Sequence, residues 1–163
     1  MKKILSGDFF DRPSLELAPD LLGTFLVRKI GNKEIALKIT EVEAYDGPYD
    51  LACHASKGRT ARTEVMFGEA GQFYVYLCYG MHYMLNIVTD KKDYPSAVLI
   101  RGAEGFDGPG KLTKHMEIDK RMNVMMAVRQ SGLWFEDRGV KVSKKDIKRT
   151  PRIGVTYAGP VWS

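Results

Sequence analysis

At 163 residues the chain suits one compact domain, expected to span 1–163, with little room for a second independent core. An apolar fraction of 44% and a charged fraction of 28% are too apolar for disorder and too interrupted for a membrane span, and two cysteines exclude a disulfide scaffold. The 25 Lys and Arg exceed the 20 Asp and Glu, and the net charge of +5 favours an anionic partner without naming it.

Met1-Lys2-Lys3 leads into Ile4-Leu5-Ser6-Gly7-Asp8 without the apolar stretch of a signal peptide, so an intracellular protein is expected. Residues 13–22 predict a short helix carrying Leu15, Leu17, Leu21 and Leu22, interrupted or delimited by Pro19. Residues 24–30 and 34–45 read as two strands joined at Gly31-Asn32. In the second, Ile35, Leu37 and Ile39 alternate with polar or small residues, and unbroken alternation would carry Glu41, Glu43 and Tyr45 onto the same face. Two carboxylates on a core-facing side are costly unless they are paired or look into a cavity. Alternatively, the strand leaves the core by Glu41, or a bulge reverses its register.

A second hairpin is expected from 72–78 and 83–88 around Tyr79-Gly80-Met81-His82. Tyr74 and Tyr76 share a strand face and could pack within the sheet, whereas Tyr79 at the tip gains little burial without a partner. A strand at 97–101, glycines at 102, 105, 108 and 110, a helix at 111–118 and strands at 133–136, 140–142 and 153–157 complete the expected elements. Antiparallel hairpins with interspersed helices predict an α+β fold.

Positive charge gathers in two places: Lys57, Arg59 and Arg62, and the run Lys141, Lys144, Lys145, Lys148, Arg149 and Arg152, for which a solvated face is the alternative. Cys53, His54, Cys78 and His82 lack paired ligand spacing, so no metal is expected and both cysteines read as free thiols. The chain carries no phosphate-loop lysine motif, dinucleotide fingerprint or zinc-protease helix, which leaves cofactor-free hydrolysis or simple binding.

The run Thr40-Glu-Val-Glu-Ala-Tyr-Asp-Gly-Pro-Tyr-Asp-Leu-Ala-Cys-His54 resembles the active-site strand and loop of the 3-methyladenine (alkyladenine) DNA glycosylase family. Arg59-Thr-Ala-Arg-Thr-Glu-Val-Met-Phe67, Gly71-Gln-Phe-Tyr-Val-Tyr-Leu-Cys-Tyr-Gly-Met-His-Tyr-Met-Leu-Asn86, Val98-Leu-Ile-Arg101, Gly108-Pro-Gly-Lys-Leu112 and Arg152-Ile-Gly-Val155 extend the resemblance over nearly the whole chain. It implies a curved, mainly antiparallel sheet with a protruding β-hairpin and peripheral short helices. It also implies a monofunctional hydrolase that flips an alkylated or deaminated purine out of double-stranded DNA and leaves an abasic site.

By the same resemblance Glu43 matches the general base that activates water against the sugar C1′, with Arg101 and the carbonyl of Ile153 holding that water. Tyr45, His54 and Tyr76 match the residues that sandwich the flipped base, and their electron-rich rings favour alkylated purines that carry positive charge. Asn86 matches the residue hostile to guanine's exocyclic amino group. Tyr79 matches the side chain that fills the vacated space, with Met81 beside it, and Lys57, Arg59 and Arg62 become phosphate contacts. No cofactor, membrane or obligatory protein partner is implied, and a monomer is expected. Between Arg101 and Gly108 only residues 102–107 intervene, where the family usually carries a longer segment, and the sequence stops at Ser163, where relatives commonly continue through another strand.

Two rival readings remain at this stage. A non-catalytic nucleic-acid binding module would use the same basic loops and aromatics but has no need of a carboxylate near the backbone. A hydrolase of free nucleosides would leave Tyr79 and the basic loops without a role.

Overall fold

A computed structural model describes residues 2–153. In chain order these form β1 (Lys3–Ile4), α1 (Gly7–Phe10), α2 (Ser14–Leu21), β2 (Phe25–Ile30), β3 (Lys33–Asp46), β4 (Phe73–Cys78), β5 (His82–Val88), β6 (Ser96–Ala103), β7 (Phe106–Asp107), α3 (Pro109–His115) and β8 (Leu133–Asp137). The strands form one antiparallel sheet in the order β1-β8-β2-β3-β6-β5-β4, with β7 paired to β6, so the architecture is α+β as expected. No helix among the described residues is long and apolar enough to cross a membrane.

The 14-residue β3 is the spine: its first half pairs with β2 across the Gly31 turn (φ 57°), and its second half pairs with β6. Alternation does not persist along it. Pairing steps from Ile39↔Ala103 to Glu41↔Gly102 to Val42↔Ile100, so Thr40 is extra on β3 and Arg101 is extra on β6. These two offset bulges invert the strand. Ile35, Leu37 and Ile39, then Val42 and Ala44, pack into the main core with Phe73, Leu85 and Ile100, whereas Tyr45 joins a second cluster around Tyr74, Cys53 and Met66. Of the readings left open for this strand, the register-reversing bulge is the one found, so Glu43 and Tyr45 do not follow Ile39 onto one face. They face the opposite side, and Glu43 is nevertheless buried.

Cross-strand pairing lines up that opposite face. Glu43 on β3 stands against Leu99 on β6, Leu99 against Asn86 on β5, and Asn86 against Tyr74 on β4. Residues directly opposite share a face, so four strands present one row of side chains. On the other face α2 contributes Leu17 and Leu21, and α3 contributes Leu112.

Three further expectations change. Pro19 lies inside α2 and the helix ends at Leu21, two residues later, where the chain turns extended. α3 starts on Pro109, whose missing N–H costs nothing in a first turn, and ends at His115 rather than 118. Residues 140–142 form no strand; Val140 and Val142 instead cover Gly23, where an added Cβ would lie 2.7 Å from Val142 Cγ2. The expected strand at 153–157 lies outside the described residues beyond Ile153.

Candidate active site

Glu43 retains 8% of its exposure, and each of its oxygens is engaged. Oε2 accepts a 2.9 Å hydrogen bond from the Tyr45 hydroxyl, and Oε1 accepts one of 3.2 Å from the Ile153 N–H. Arg101 Nε lies 3.4 Å from Oε1 of both Glu43 and Glu41. Arg101 is the bulge residue of β6, and a bulge re-aims a side chain that regular pleating would direct elsewhere. Burial, then the charge and hydrogen bond of Glu43, push the Tyr45 phenol far above its ordinary pKa, so it stays a neutral donor to the carboxylate. A carboxylate offers about four lone-pair sites, which leaves acceptor capacity for a water.

The Ile153 amide is placed by its neighbour. Arg152 forms a bidentate pair with the buried Asp50 at 2.7 and 2.9 Å and donates to the Ala44 carbonyl at 2.9 Å. Asp50 also accepts from the Asp46 and Ala52 N–H groups. One ion pair thus joins β3, the loop leading to His54 and the segment that carries Ile153. A cavity of about 460 Å³ opens beside it, lined by α2, by β3 including Glu43, and by residues 147–153.

Next to Tyr45 a small aromatic cavity is lined by Tyr45, His54, Met66, Tyr74, Tyr76 and Asn86. His54 meets Tyr76 edge to face at 4.7 Å between centroids, and Tyr74 lies 5.1 Å from Tyr76. His54 Nδ1 and the Tyr74 hydroxyl are 3.0 Å apart, and the Asn86 side-chain amide donates to the Tyr74 carbonyl at 3.2 Å. Burial, then the charges of Arg62 and Lys57, hold the His54 imidazole below its ordinary pKa. The fold therefore favours the neutral ring. This contribution to stability is fully present above the ordinary histidine value of about 6.5 and is lost as pH falls through the lowered folded value. Denaturation midpoints are expected to fall between pH 7.5 and 5, with His54→Gln reducing the drop; an equally steep drop in the variant would refute this.

At the hairpin tip Tyr79 is 93% exposed and Met81 71% exposed. Tyr79 adopts φ 51°, a left-handed conformation unusual for an aromatic residue. Of the other expected DNA contacts, Lys57 is exposed at the end of a 3₁₀ turn that begins at His54. Arg59 is engaged within the protein, with Glu64 at 3.0 Å, Asp93 at 2.8 Å and the Phe67 ring beneath it. The Arg62 guanidinium lies over the Tyr76 ring, 4.9 Å from its centroid.

The sequence brought Glu43, Tyr45, His54, Tyr76, Asn86, Arg101 and Ile153 forward, and the fold gathers them around β3 to β6. It did not single out Asp50 or Met66, and it grouped Arg152 with a surface run. Cys53, expected as a free thiol, is buried, and its pKa is pushed up to about 11, mainly by burial.

A simple binding surface gains nothing from a buried carboxylate that keeps free lone pairs beside an aromatic slot; an enzyme that hydrolyses a glycosidic bond and holds the departing base needs both. Known proteins carry that class to a family. The methylpurine-DNA glycosylase model matches residues 8–108 and 104–162, and the chain belongs to this family. The two segments overlap at 104–108, from the β6–β7 turn to Gly108. The chain is 47% identical to a protein of Methanocella arvoryzae (96% of this chain, 86% of that one). It is 46% identical to one of Legionella pneumophila strain Lens (94% and 87%) and 44% identical to one of Myxococcus xanthus (95% and 84%). Each of the three is named "Putative 3-methyladenine DNA glycosylase". Family membership makes the chain a DNA glycosylase, a hydrolase of N-glycosidic bonds.

Proposed function

We propose that the chain excises alkylated or deaminated purines from double-stranded DNA as a single-domain, monofunctional monomer inside the cell, with no cofactor and no obligatory protein partner. The observation that carries this reading is the buried Glu43 carboxylate, which lines the larger cavity and is held by Arg101, the Ile153 N–H and the hydroxyl of Tyr45, itself a wall of the aromatic cavity. Glu43 takes a proton from a water whose oxygen attacks the sugar C1′, and the bond between C1′ and the purine nitrogen breaks. The carboxylate's negative charge also stabilises the positive charge that develops on the sugar. Arg101 and the Ile153 carbonyl help to hold the water. Tyr45, His54 and Tyr76 stack on the flipped base, and Asn86 opposes guanine's exocyclic amino group. Tyr79 and Met81 enter the duplex, with Lys57, Arg59 and Arg62 on the phosphate side.

The direct test is base release from a duplex containing one hypoxanthine or one alkylated purine, revealed by strand cleavage in alkali. Release of the lesion and retention of undamaged purines is expected; binding without release from any lesion would leave only a binding module.

The hairpin tip gives a prediction with opposite signs in two assays. Tyr79→Gly relieves a left-handed conformation and is expected to stabilise the fold by about 1 kcal/mol. The same change removes the ring that occupies the vacated stack, so excision from duplex DNA should fall at least about tenfold, while a lesion in single-stranded DNA is much less affected. Equal losses on both substrates would show that Tyr79 does not act by supporting the flipped state.

A further inference from the structure

Two rings of the aromatic cavity carry a guanidinium. Arg62 lies over Tyr76 with its Cζ 4.9 Å from the ring centroid, and Arg152 lies over Tyr45 at 5.0 Å. Neither arginine lines the cavity, whose described wall is Tyr45, His54, Met66, Tyr74, Tyr76 and Asn86. The cations therefore lie against the rings of the wall without lining the cavity, and Arg62 also hydrogen-bonds the Tyr74 side chain. The two differ in charge balance, because Arg152 is matched by the bidentate Asp50 carboxylate and Arg62 projects from an exposed loop position.

A cation on one face of an aromatic ring engages the electron density that would attract a second cation to the opposite face. Across the thickness of one ring, the two charges also repel at less than a screening length in physiological salt. A neutral base stacked on the inner face meets neither effect. His54 responds in the same sense, since Arg62 is one of the charges that keep its imidazole neutral.

We infer that Arg62 is a specificity-determining residue that biases the pocket against positively charged N-alkylpurines and towards neutral purine lesions. This rests on the glycosylase reading above and deepens it. It also limits the preference for cationic bases that electron-rich rings alone would give: with a cation already behind Tyr76, part of that attraction is used within the protein.

The experiment compares wild type, Arg62→Gln and Arg62→Lys on duplexes that differ only in the lesion, 7-methylguanine as the cation and hypoxanthine as the neutral base. Single-turnover rates are measured with enzyme in excess. Arg62→Gln is expected to raise the ratio of the 7-methylguanine rate to the hypoxanthine rate about threefold or more, and Arg62→Lys to hold it within about twofold of wild type. A common loss on both lesions with an unchanged ratio would reduce Arg62 to a phosphate contact and overturn the inference. A lysine variant that behaves like the glutamine one would also overturn it, by implicating the guanidinium plane rather than the charge. NMR titration of His54 in the free protein reads the field without catalysis: Arg62→Gln should raise its midpoint, and an unmoved midpoint overturns the inference whatever the activity. Wild type that releases neither base would sink the glycosylase reading, and the His54 titration would still decide whether Arg62 charges the pocket.

Discussion

Glu43→Gln is expected to bind a lesion-containing duplex about as tightly as wild type and to lose base release by about 10²- to 10⁴-fold, the range typical of a general base. The substitution is nearly isosteric, and the local network can absorb it. A glutamine oxygen still accepts from the Ile153 N–H, and its NH₂ can donate to the Tyr45 hydroxyl oxygen. Arg101 keeps Glu41 as a counter-ion at 3.4 Å, so no buried cation is orphaned. Thermal stability should therefore change little, which separates loss of chemistry from loss of fold. Single-turnover excision, an equilibrium binding isotherm and a melting curve on the same preparation check all three expectations. Excision within tenfold of wild type would assign the proton transfer to another group.

Asp50→Asn should have the largest effect on stability. It leaves the Arg152 guanidinium without its carboxylate in a largely buried position, and breaking such a pair from one side typically costs about 3–5 kcal/mol. Burial alone would raise the Asp50 pKa, but the hydrogen bonds from Arg152 and from the Asp46 and Ala52 N–H groups, with the Arg152 charge, outweigh it and lower the value. The contribution is thus present above the ordinary aspartate range and lost as pH falls through the lowered folded value. Wild type should lose stability in acid there, and Asp50→Asn should lose much less. Because Arg152 sets the Ile153 amide against Glu43, residual folded variant should also excise more slowly. Urea unfolding at pH 7 and near pH 2 gives the comparison. A loss below about 1 kcal/mol at pH 7 would mark the pair as dispensable.

Both hairpins and the strands β6 and β8 were legible because apolar alternation and turn residues are local signals, whereas the two-residue β1 and β7 are too short to leave one; Tyr79 stood out because an aromatic beside a glycine at a turn has nothing nearby to bury it. The inversion of β3 was open in the sequence and could not be decided there. A bulge at Thr40 is offset by a second at Arg101, and neither leaves a local mark, since each depends on how two distant strands align. Residues 140–142 alternate like a strand, but the pattern serves to cover Gly23. Asp50 and Arg152 stand 102 residues apart, and nothing in a run of lysines and arginines shows which member leaves the surface. Arg59 and Arg62 show the same limit: composition placed them in a basic loop, and only packing separates one that braces Glu64 and Asp93 from one that lies on an aromatic wall.

The row from Glu43 through Leu99 to Asn86 also acts as a ruler. Adjacent strands lie about 4.8 Å apart, so β3 and β5 stand about 10 Å from each other with β6 between them. In the proposed function, which puts Glu43 at the sugar and Asn86 at the base, that interval separates the two groups. The spacing is set by backbone hydrogen bonding across β6, so a single side-chain substitution cannot readily change it.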